Sequence, residues 1–449
     1  MAYKKIQFIG YSIDTGPGVD KKTGEEEYLG LTNARHDIEA RCLLMRRAME
    51  TARKHIGDKP SQDKILKVFM APEFFFRGRR GAYTMDEVQH ALAELQALAA
   101  EGQWDNWLIV FGTVLGEWDE TGDEDTKRGI NFALIQEGGV AAAGSNGARI
   151  VMKELKSNID FITGVANPGG ILWGEIEHMD PGPSGPGREA QRLNYDGAGL
   201  FDACGISWAA DICLDHLEGR LLNSPQLPGS RQVQVQLVPS AGASIEPDNI
   251  IAQDGGYAFN VDGLNGSEVT LVENRFPWDP IVPGAVIDVS DADIDLPTDP
   301  PEAVGIDRIY ARGAGKVVVY KPVETPEERF VAGEIVELHW AAGQGVTLDF
   351  SLIYDEQGHY VTMLCQLDCP EVPRATNRYF VPLDLETTAR DGDKVVFRVG
   401  KGAGAEGYHA SCNCTIETET FNFSGVAFLF DLRAPGSGKP PAKLPLTNW

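Results

Sequence analysis

Along the first two thirds of the chain, apolar positions fall into two textures that take turns. Short runs such as Ile6-Gln7-Phe8-Ile9 and Ile65-Leu66-Lys67-Val68-Phe69-Met70 have the length and content of buried strands, the second stopped by Pro72. Between them, from about Asn33, the residues Ile38, Cys42, Met45 and Met49 recur at spacings of four, three and four and share one face of a helix. A second amphipathic stretch repeats the unit with Val88, Leu92, Leu95 and Ala99. Strands are then predicted at Trp107 to Val114, Asn131 to Gln136, Arg149 to Lys153, Ile206 to Ile212 and Val233 to Val238, where alternation puts valine and leucine on one side. Strand and helix in alternation predict an α/β layered fold.

Two stretches depart from this pattern. From Ser157 to Leu200 there are nine Gly and four Pro in 44 residues, so 157–200 is expected to be an irregular insertion near a pocket. Residues 273 to 315, rich in Asp, Pro and Gly, read as a connector. From about Val317 the runs Val336 to Trp340, Thr347 to Leu352, Arg378 to Leu383, Lys394 to Val399 and Val426 to Leu432 alternate between Gly, Asp and Pro turns with no helical period between them. The expected organisation is a layered domain over 1–315, an all-β sandwich-like domain over 316–433 and an irregular tail over 434–449.

Composition and charge narrow the function. The chain has 449 residues and a formal charge of −26, a field that repels phosphate backbones and anionic lipid, so neither nucleic acid nor membrane is an expected partner. No apolar run is long enough to span a bilayer, and Met1 to Lys5 lead straight into a strand, so a cytoplasmic protein is expected. The seven cysteines, Cys42, Cys204, Cys213, Cys365, Cys369, Cys412 and Cys414, are too scattered for a small disulfide framework. The sequons at Asn265, Asn413 and Asn422 read as chance.

Three segments could carry chemistry. Glu73 in Ala71-Pro72-Glu73-Phe74-Phe75-Phe76 sits just past a buried strand among aromatics, surroundings that suit a carboxyl to acid/base work, although a lone Pro-Glu-Phe is more often a capping or salt-bridged glutamate. Lys153 ends an apolar strand, where an ammonium could stabilise an oxyanion; most lysines are simply solvated. Cys213 lies at a strand-to-helix turn, where a helix N-terminus is expected to lower the thiol pKa, against the plainer reading of an inert buried cysteine. His216 invites a Cys–His dyad, but its spacing turns it away from the sulfur.

Other signals are weaker. Asp291, Asp293, Asp295, Asp299 and Glu302 have the ligand spacing of a calcium loop, yet Leu296 stands where glycine is needed and prolines interrupt. Cys365, Cys369, Cys412 and Cys414 number four, but their spacing does not suit structural zinc and they read as buried thiols. Gly436-Ser437-Gly438-Lys439 runs into Pro440 and is not a phosphate loop. No metal or cofactor is expected.

Taken in order, Pro72-Glu73, Phe111-Gly112-Thr113, Asn131 to Ile135, the Lys153 strand, Ile212-Cys213 and Leu237-Val238-Pro239-Ser240-Ala241 resemble the carbon–nitrogen hydrolase (nitrilase) superfamily over about residues 5–275. The resemblance implies a four-layer αββα sandwich and a Glu73, Lys153, Cys213 triad. In these roles Cys213 attacks the electrophilic carbon, Glu73 moves the proton, and Lys153 with the Leu214 backbone N–H holds the oxyanion. It also implies a small-molecule amide or nitrile substrate and a homo-oligomer. The second glutamate found in many members has no match at its usual place, which leaves Asp160, Glu175 and Glu177 as possible fourth acids. Leu214 replaces the tryptophan usual in true nitrilases, which favours an amidase over nitrile hydrolysis. Acyl transfer or cyclisation uses the same thioester, and an inactive binding or scaffold protein is the alternative of another class.

Overall fold

The computed structural model describes residues 3–19, 22–57, 64–119, 127–140, 148–153, 155, 157, 199–223, 231–274, 276–298 and 300–330, and the backbone of short strands between 334 and 446. In chain order the main elements are β1 (Lys5–Ser12), α1 (Ala34–Ile56), β2 (Ile65–Met70), α2 (Met85–Ala99), β3 (Trp107–Asp119), β4 (Lys127–Glu137), β5 (Ala148–Met152), β6 (Leu200–Ala203), β7 (Ile206–Ala210), α3 (Leu214–Leu217), β8 (Val235–Ser240), β9 (Tyr257–Asp262), β10 (Gly266–Glu273), β11 (Phe276–Pro280), β12 (Pro283–Asp288), β13 (Ile294–Leu296), β14 (Glu302–Val304) and β15 (Lys316–Tyr320).

Local signals account for the helices. The Asn33 side chain accepts from the Arg35 and His36 amides to start α1, and Gly57 at φ 74° ends it. Thr84 and Glu87 form a reciprocal capping box at the start of α2. The predicted apolar stripes Ile38-Cys42-Met45-Met49 and Val88-Leu92-Leu95-Ala99 are buried.

The strands form two mixed sheets. The first runs β12-β15-β1-β2-β3-β4-β5, with β1, β2 and β3 parallel; the second runs β11-β10-β9-β8-β7-β6, with β7, β8 and β9 parallel. Strand alternation divides the core. Ile9, Tyr11, Phe69, Ile109 and Phe132 pack with α1 and α2 on one face of the first sheet, while Ile6, Phe8, Val68 and Val110 on its other face meet Trp208, Val235, Leu237 and Phe259 of the second. The Phe8 and Phe259 rings stand 5.0 Å apart across this seam. On the outer face of the second sheet, the described residues place α3 and three-residue 3-10 turns at 221–223 and 247–249, with Leu221, Ile245 and Ile250 packed against Val233 and Ala258. This is a cover of turns where the αββα expectation puts helices; Gly219 at φ 65° follows α3 after a single turn.

The boundaries expected from sequence shift. Lys316–Tyr320, expected at the start of the second domain, is β15 and lies between β1 and β12 in the first sheet. Its Val-Val-Val-Tyr run is that of an inner strand, so a boundary at 315 cuts through this sheet. Residues 323–330 continue as a strap: Thr325 N donates to Lys4 O, Tyr257 Oη to Glu324 O, Gln234 Nε2 to Pro326 O and Gln253 Nε2 to Glu327 O. Nor is 273–315 a plain connector. Its Ile294, Leu296, Val304, Ile306 and Tyr310 join the core beneath α1, and β13 pairs with β14. Farther on, Glu334–Ala341 pairs antiparallel with Lys394–Lys401, and Phe350–Tyr354 with Tyr360–Met363 and Tyr408–Ala410. Ala442–Leu446, placed by composition in the tail, pairs with Gly425–Leu429. The run Arg378 to Leu383 and the cysteines Cys365, Cys369 and Cys412 lie outside the described residues.

Among the described residues, no helix is long and apolar enough to cross a membrane.

Candidate active site

The three candidate residues come from different sequence regions and meet at strand ends. Glu73 follows β2, Lys153 follows β5 directly, and Cys213 sits between β7 and α3. In open α/β sheets, the carboxyl ends of parallel strands are where loops converge on a ligand.

Glu73 is fully buried, and its Oε1 accepts from Lys153 Nζ at 2.9 Å and from Asn131 Nδ2 at 2.8 Å. The Lys153 and Glu73 side chains are both at 0% exposure, a desolvated pair to whose shared oxygen the Asn131 amide adds a second donor. The lysine is aimed by its own backbone, since Lys153 N donates to Asn131 O at 2.8 Å. Its Nζ also reaches Ser157 Oγ at 3.4 Å. The loop that carries Glu73 owes its close approach to Gly112. Here β3 bulges between Val110 and Thr113, Gly112 has φ 72°, and a Cβ on it would lie 2.3 Å from Pro72 O.

Cys213 is 4% exposed and has φ 50°, ψ −105°, outside the usual range for a side-chain-bearing residue. Its amide donates to Pro239 O at 3.2 Å, and the His216 and Leu217 amides close back on its carbonyl. The Glu73 carboxylate and the Ala241 backbone are polar neighbours of the thiol. Burial pushes its pKa up, and the Glu73 carboxylate pushes the same way; Lys153 and the Ala241 backbone oppose them without winning. This corrects the expectation of a thiol lowered by a helix N-terminus. Helix α3 has only four residues and contributes little dipole, while burial, and after it the charge of the Glu73 carboxylate, raise the pKa. The thiol rests protonated beside that carboxylate.

His216 points elsewhere, as its spacing implies. It is buried, its Nε2 accepts from Glu246 N at 2.8 Å, and its Nδ1 faces Asp211 Oδ2 at 3.4 Å and Gln236 Nε2 at 3.2 Å. Leu214 opens α3, which puts its amide in the first turn beside Cys213. The candidate acids Asp160, Glu175 and Glu177 lie outside the described residues. Asp215, not singled out from sequence, is fully buried; its Oδ1 accepts from Leu155 N at 2.8 Å and ties the chain after Lys153 to the chain after Cys213. Asn131 and Ala241 were also missed. An asparagine inside the apolar Asn131 to Ile135 run was the only visible signal for the first, and a backbone contact leaves none for the second.

Among the described residues, no group of three or more His, Cys, Asp or Glu side chains is placed to hold a metal ion. In the acidic 291–302 stretch, Asp291 Oδ1 accepts from Ala314 N at 2.6 Å, a turn contact.

No family model matches the chain, and no curated protein matches it. Among solved structures, it is similar to amidases from Nesterenkonia. One is an amidase from Nesterenkonia sp., 12% identical over 72% of this chain and 91% of that one, with a TM-score of 0.32. Another is a variant of the Nesterenkonia AN1 amidase from the nitrilase superfamily, 12% identical over 71% and 91%, with a TM-score of 0.31. A third shows that amidase with acrylamide added at its active-site cysteine, 11% identical over 71% and 93%, with a TM-score of 0.32. Likenesses this loose leave the chemistry to be read from the residues of this chain.

Proposed function

We propose that the chain is a thiol-dependent hydrolase of non-peptide C–N bonds, acting on a small amide through a thioester at Cys213. The observation that carries this reading is the buried cluster in which Glu73 accepts from Lys153 at 2.9 Å beside the Cys213 thiol, whose pKa its charge helps to raise. With the thiol held protonated, attack and proton transfer go together: Sγ bonds to the carbonyl carbon as Glu73 takes the thiol proton. Lys153 Nζ and the Leu214 amide hold the oxyanion. Glu73 then gives the proton to the leaving nitrogen as the C–N bond breaks. Water attacks the thioester, Glu73 receives one of its protons, and the sulfur leaves reprotonated with the acid product.

The absence of tryptophan after Cys213 favours amide over nitrile. The scaffold is read as the αββα type, followed by a β-sandwich-like domain beyond the strap that ends at Phe330. A homo-oligomer is part of the same reading, as is a cytoplasmic setting, which the free thiols Cys42, Cys204 and Cys213 suit.

Intact-mass analysis after brief exposure to libraries of small amides and nitriles tests the proposal. An acyl adduct on the wild type that is absent from Cys213→Ala supports it. Glu73→Gln is expected to fold and to lose about 10³-fold or more in turnover. Selective labelling that never reaches Cys213, or near-normal turnover in Glu73→Gln, overturns it.

A further inference from the structure

Two residues beyond Glu73, the carbonyl of Phe75 is gripped by two donors from remote parts of the chain. Arg41 Nη1 of α1 donates to it at 2.9 Å, and the Tyr310 hydroxyl, from the segment after β14, donates to it at 2.7 Å. Both residues are buried. Arg41 is itself locked, with Nε on Asp37 Oδ2 at 2.8 Å and Nη2 on Leu29 O at 2.9 Å, and Tyr83 Oη donates to the same Asp37 oxygen. The guanidinium lies 4.8 Å from the centre of the Tyr310 ring, and that ring lies 5.3 Å from the ring of Phe75. Burial raises the Tyr310 hydroxyl pKa, so it stays a donor throughout the working pH range.

A carbonyl oxygen has two lone pairs, and here both are used. Two donors from remote elements hold this carbonyl in place, and the loop is strained enough to need holding. Phe74 has φ 64°, a conformation that a bulky residue keeps only when its surroundings fix it. The main chain is pinned on both sides of it: Thr15 Oγ1 donates to Glu73 O, Phe74 N donates to Thr113 Oγ1, and Phe76 N donates to Thr113 O. With Arg41 and Tyr310, four distant residues fix the loop that aims one carboxylate. We infer that Tyr310 and Arg41 are positioning residues for proton transfer by Glu73, acting through the Phe75 carbonyl. This rests on the reading of Glu73 as the base in the proposed function.

p-Nitrophenyl acetate on the full chain separates the steps. In acylation the Sγ–C bond forms, the C–O bond to nitrophenolate breaks, and the thiol proton passes by way of Glu73 to the departing oxygen. In deacylation water bonds to the carbon, the C–S bond breaks, and Glu73 carries a water proton to the sulfur. The decay of acetyl-Cys213, followed by intact mass well below the melting temperature, therefore reads the base. Tyr310→Phe keeps both rings and loses one hydroxyl. It is expected to give the full acetyl burst and to deacylate about tenfold more slowly, since small misplacements of a reacting group are costly. Arg41→Lys keeps the charge facing Asp37 and is expected to move the rate in the same direction.

The matched control is Tyr11→Phe. Tyr11 is equally buried and its ring stands 5.7 Å from that of Phe75, but its hydroxyl donates to Ala314 O at 2.8 Å and to no carbonyl of the loop; Tyr11→Phe keeps the ring, so the lost hydroxyl should leave deacylation unchanged. Wild-type deacylation in Tyr310→Phe, or equal slowing in Tyr11→Phe, overturns the inference while the proposed function stands. A wild type that never forms acetyl-Cys213 overturns both.

Discussion

The loop of the proposed base and the turn of the proposed nucleophile each contain one residue with a side chain at positive φ, Phe74 at 64° and Cys213 at 50°, yet they are held by different means. The Cys213 turn is closed almost wholly by nearby main chain. Asp215 N donates to Ile212 O, and His216 and Leu217 N donate to Cys213 O, with Pro239 O of the neighbouring β8 taking the Cys213 amide. The Phe74 loop has main-chain bonds too, Glu73 N to Ser240 O and Phe76 N to Thr113 O, but adds side chains far away in sequence, from Thr15, Arg41, Thr113 and Tyr310. The geometry at Cys213 is thus set mainly by two neighbouring strand ends and one helical turn, with Asp215 tying that turn to Leu155. That of the base belongs to the whole first sheet and its helices, and it should be the more fragile of the two.

The most severe way to probe this contrast is Gly112→Ala. The added Cβ would lie 2.3 Å from Pro72 O and 3.1 Å from Phe75 Cβ, at φ 72°, so strain and overlap fall on the base loop. The expected cost is about 3 kcal/mol in urea unfolding, with slower acetyl-Cys213 hydrolysis. Wild-type values for both would break the comparison.

An intermediate effect sharpens the link between the two sites. Burial and Glu73 raise the Cys213 pKa, so the folded state binds the thiol proton more tightly than the unfolded state does. That stabilisation is complete below the ordinary thiol value near ~8.5 and drains away as pH rises above it, at up to about 1.4 kcal/mol per pH unit for each such thiol. Cys213→Ala is expected to lose less stability than wild type between about pH 8.5 and 10. A background slope will remain, because Cys42 and Cys204 are raised by burial too. Identical melting-temperature slopes in the two proteins would mean that the Cys213 proton is not held as described.

The smallest expected effect is that of His216→Gln. His216 bonds to Glu246 and faces Asp211, and the turn beside it rests on main chain, so deacylation should change by no more than about threefold. A hundredfold loss would instead reinstate a Cys–His dyad.

What the sequence made legible was what local pattern can encode. The apolar stripes of α1 and α2 and the inner strands were readable because burial follows period; Glu73, Lys153 and Cys213, each doubtful alone, were singled out by the order of six segments that resemble one family, and folding brings them to neighbouring strand ends. Gln234 and Gln236 show the limit of alternation. They read as outward-facing positions but are buried, because their amides bond to the main chain of Ser207, Pro326 and Ile251. Thr113 and Tyr310 act on the loop only after folding brings them to it, and neither carries a local signature. The state of the Cys213 thiol was misread for a related reason: the helix beside it is visible in sequence, but the burial that raises its pKa, and the Glu73 carboxylate that adds to it, come only with the folded chain.

The placement of β15 has a consequence for how the chain is made. Strand β1 is made before the other strands of its sheet, yet its partner on one side is among the last parts of this sheet to be synthesised; Gln7 bonds to Tyr320 O across 313 positions. Until then β1 has an open, apolar edge, the kind that pairs with the wrong chain. Tyr310, which grips the base loop, arrives almost as late. A nascent chain therefore carries the Cys213 turn and its β8 neighbour long before it carries Tyr310 and β15, and the first sheet is completed by long-range contacts, the slow kind to form.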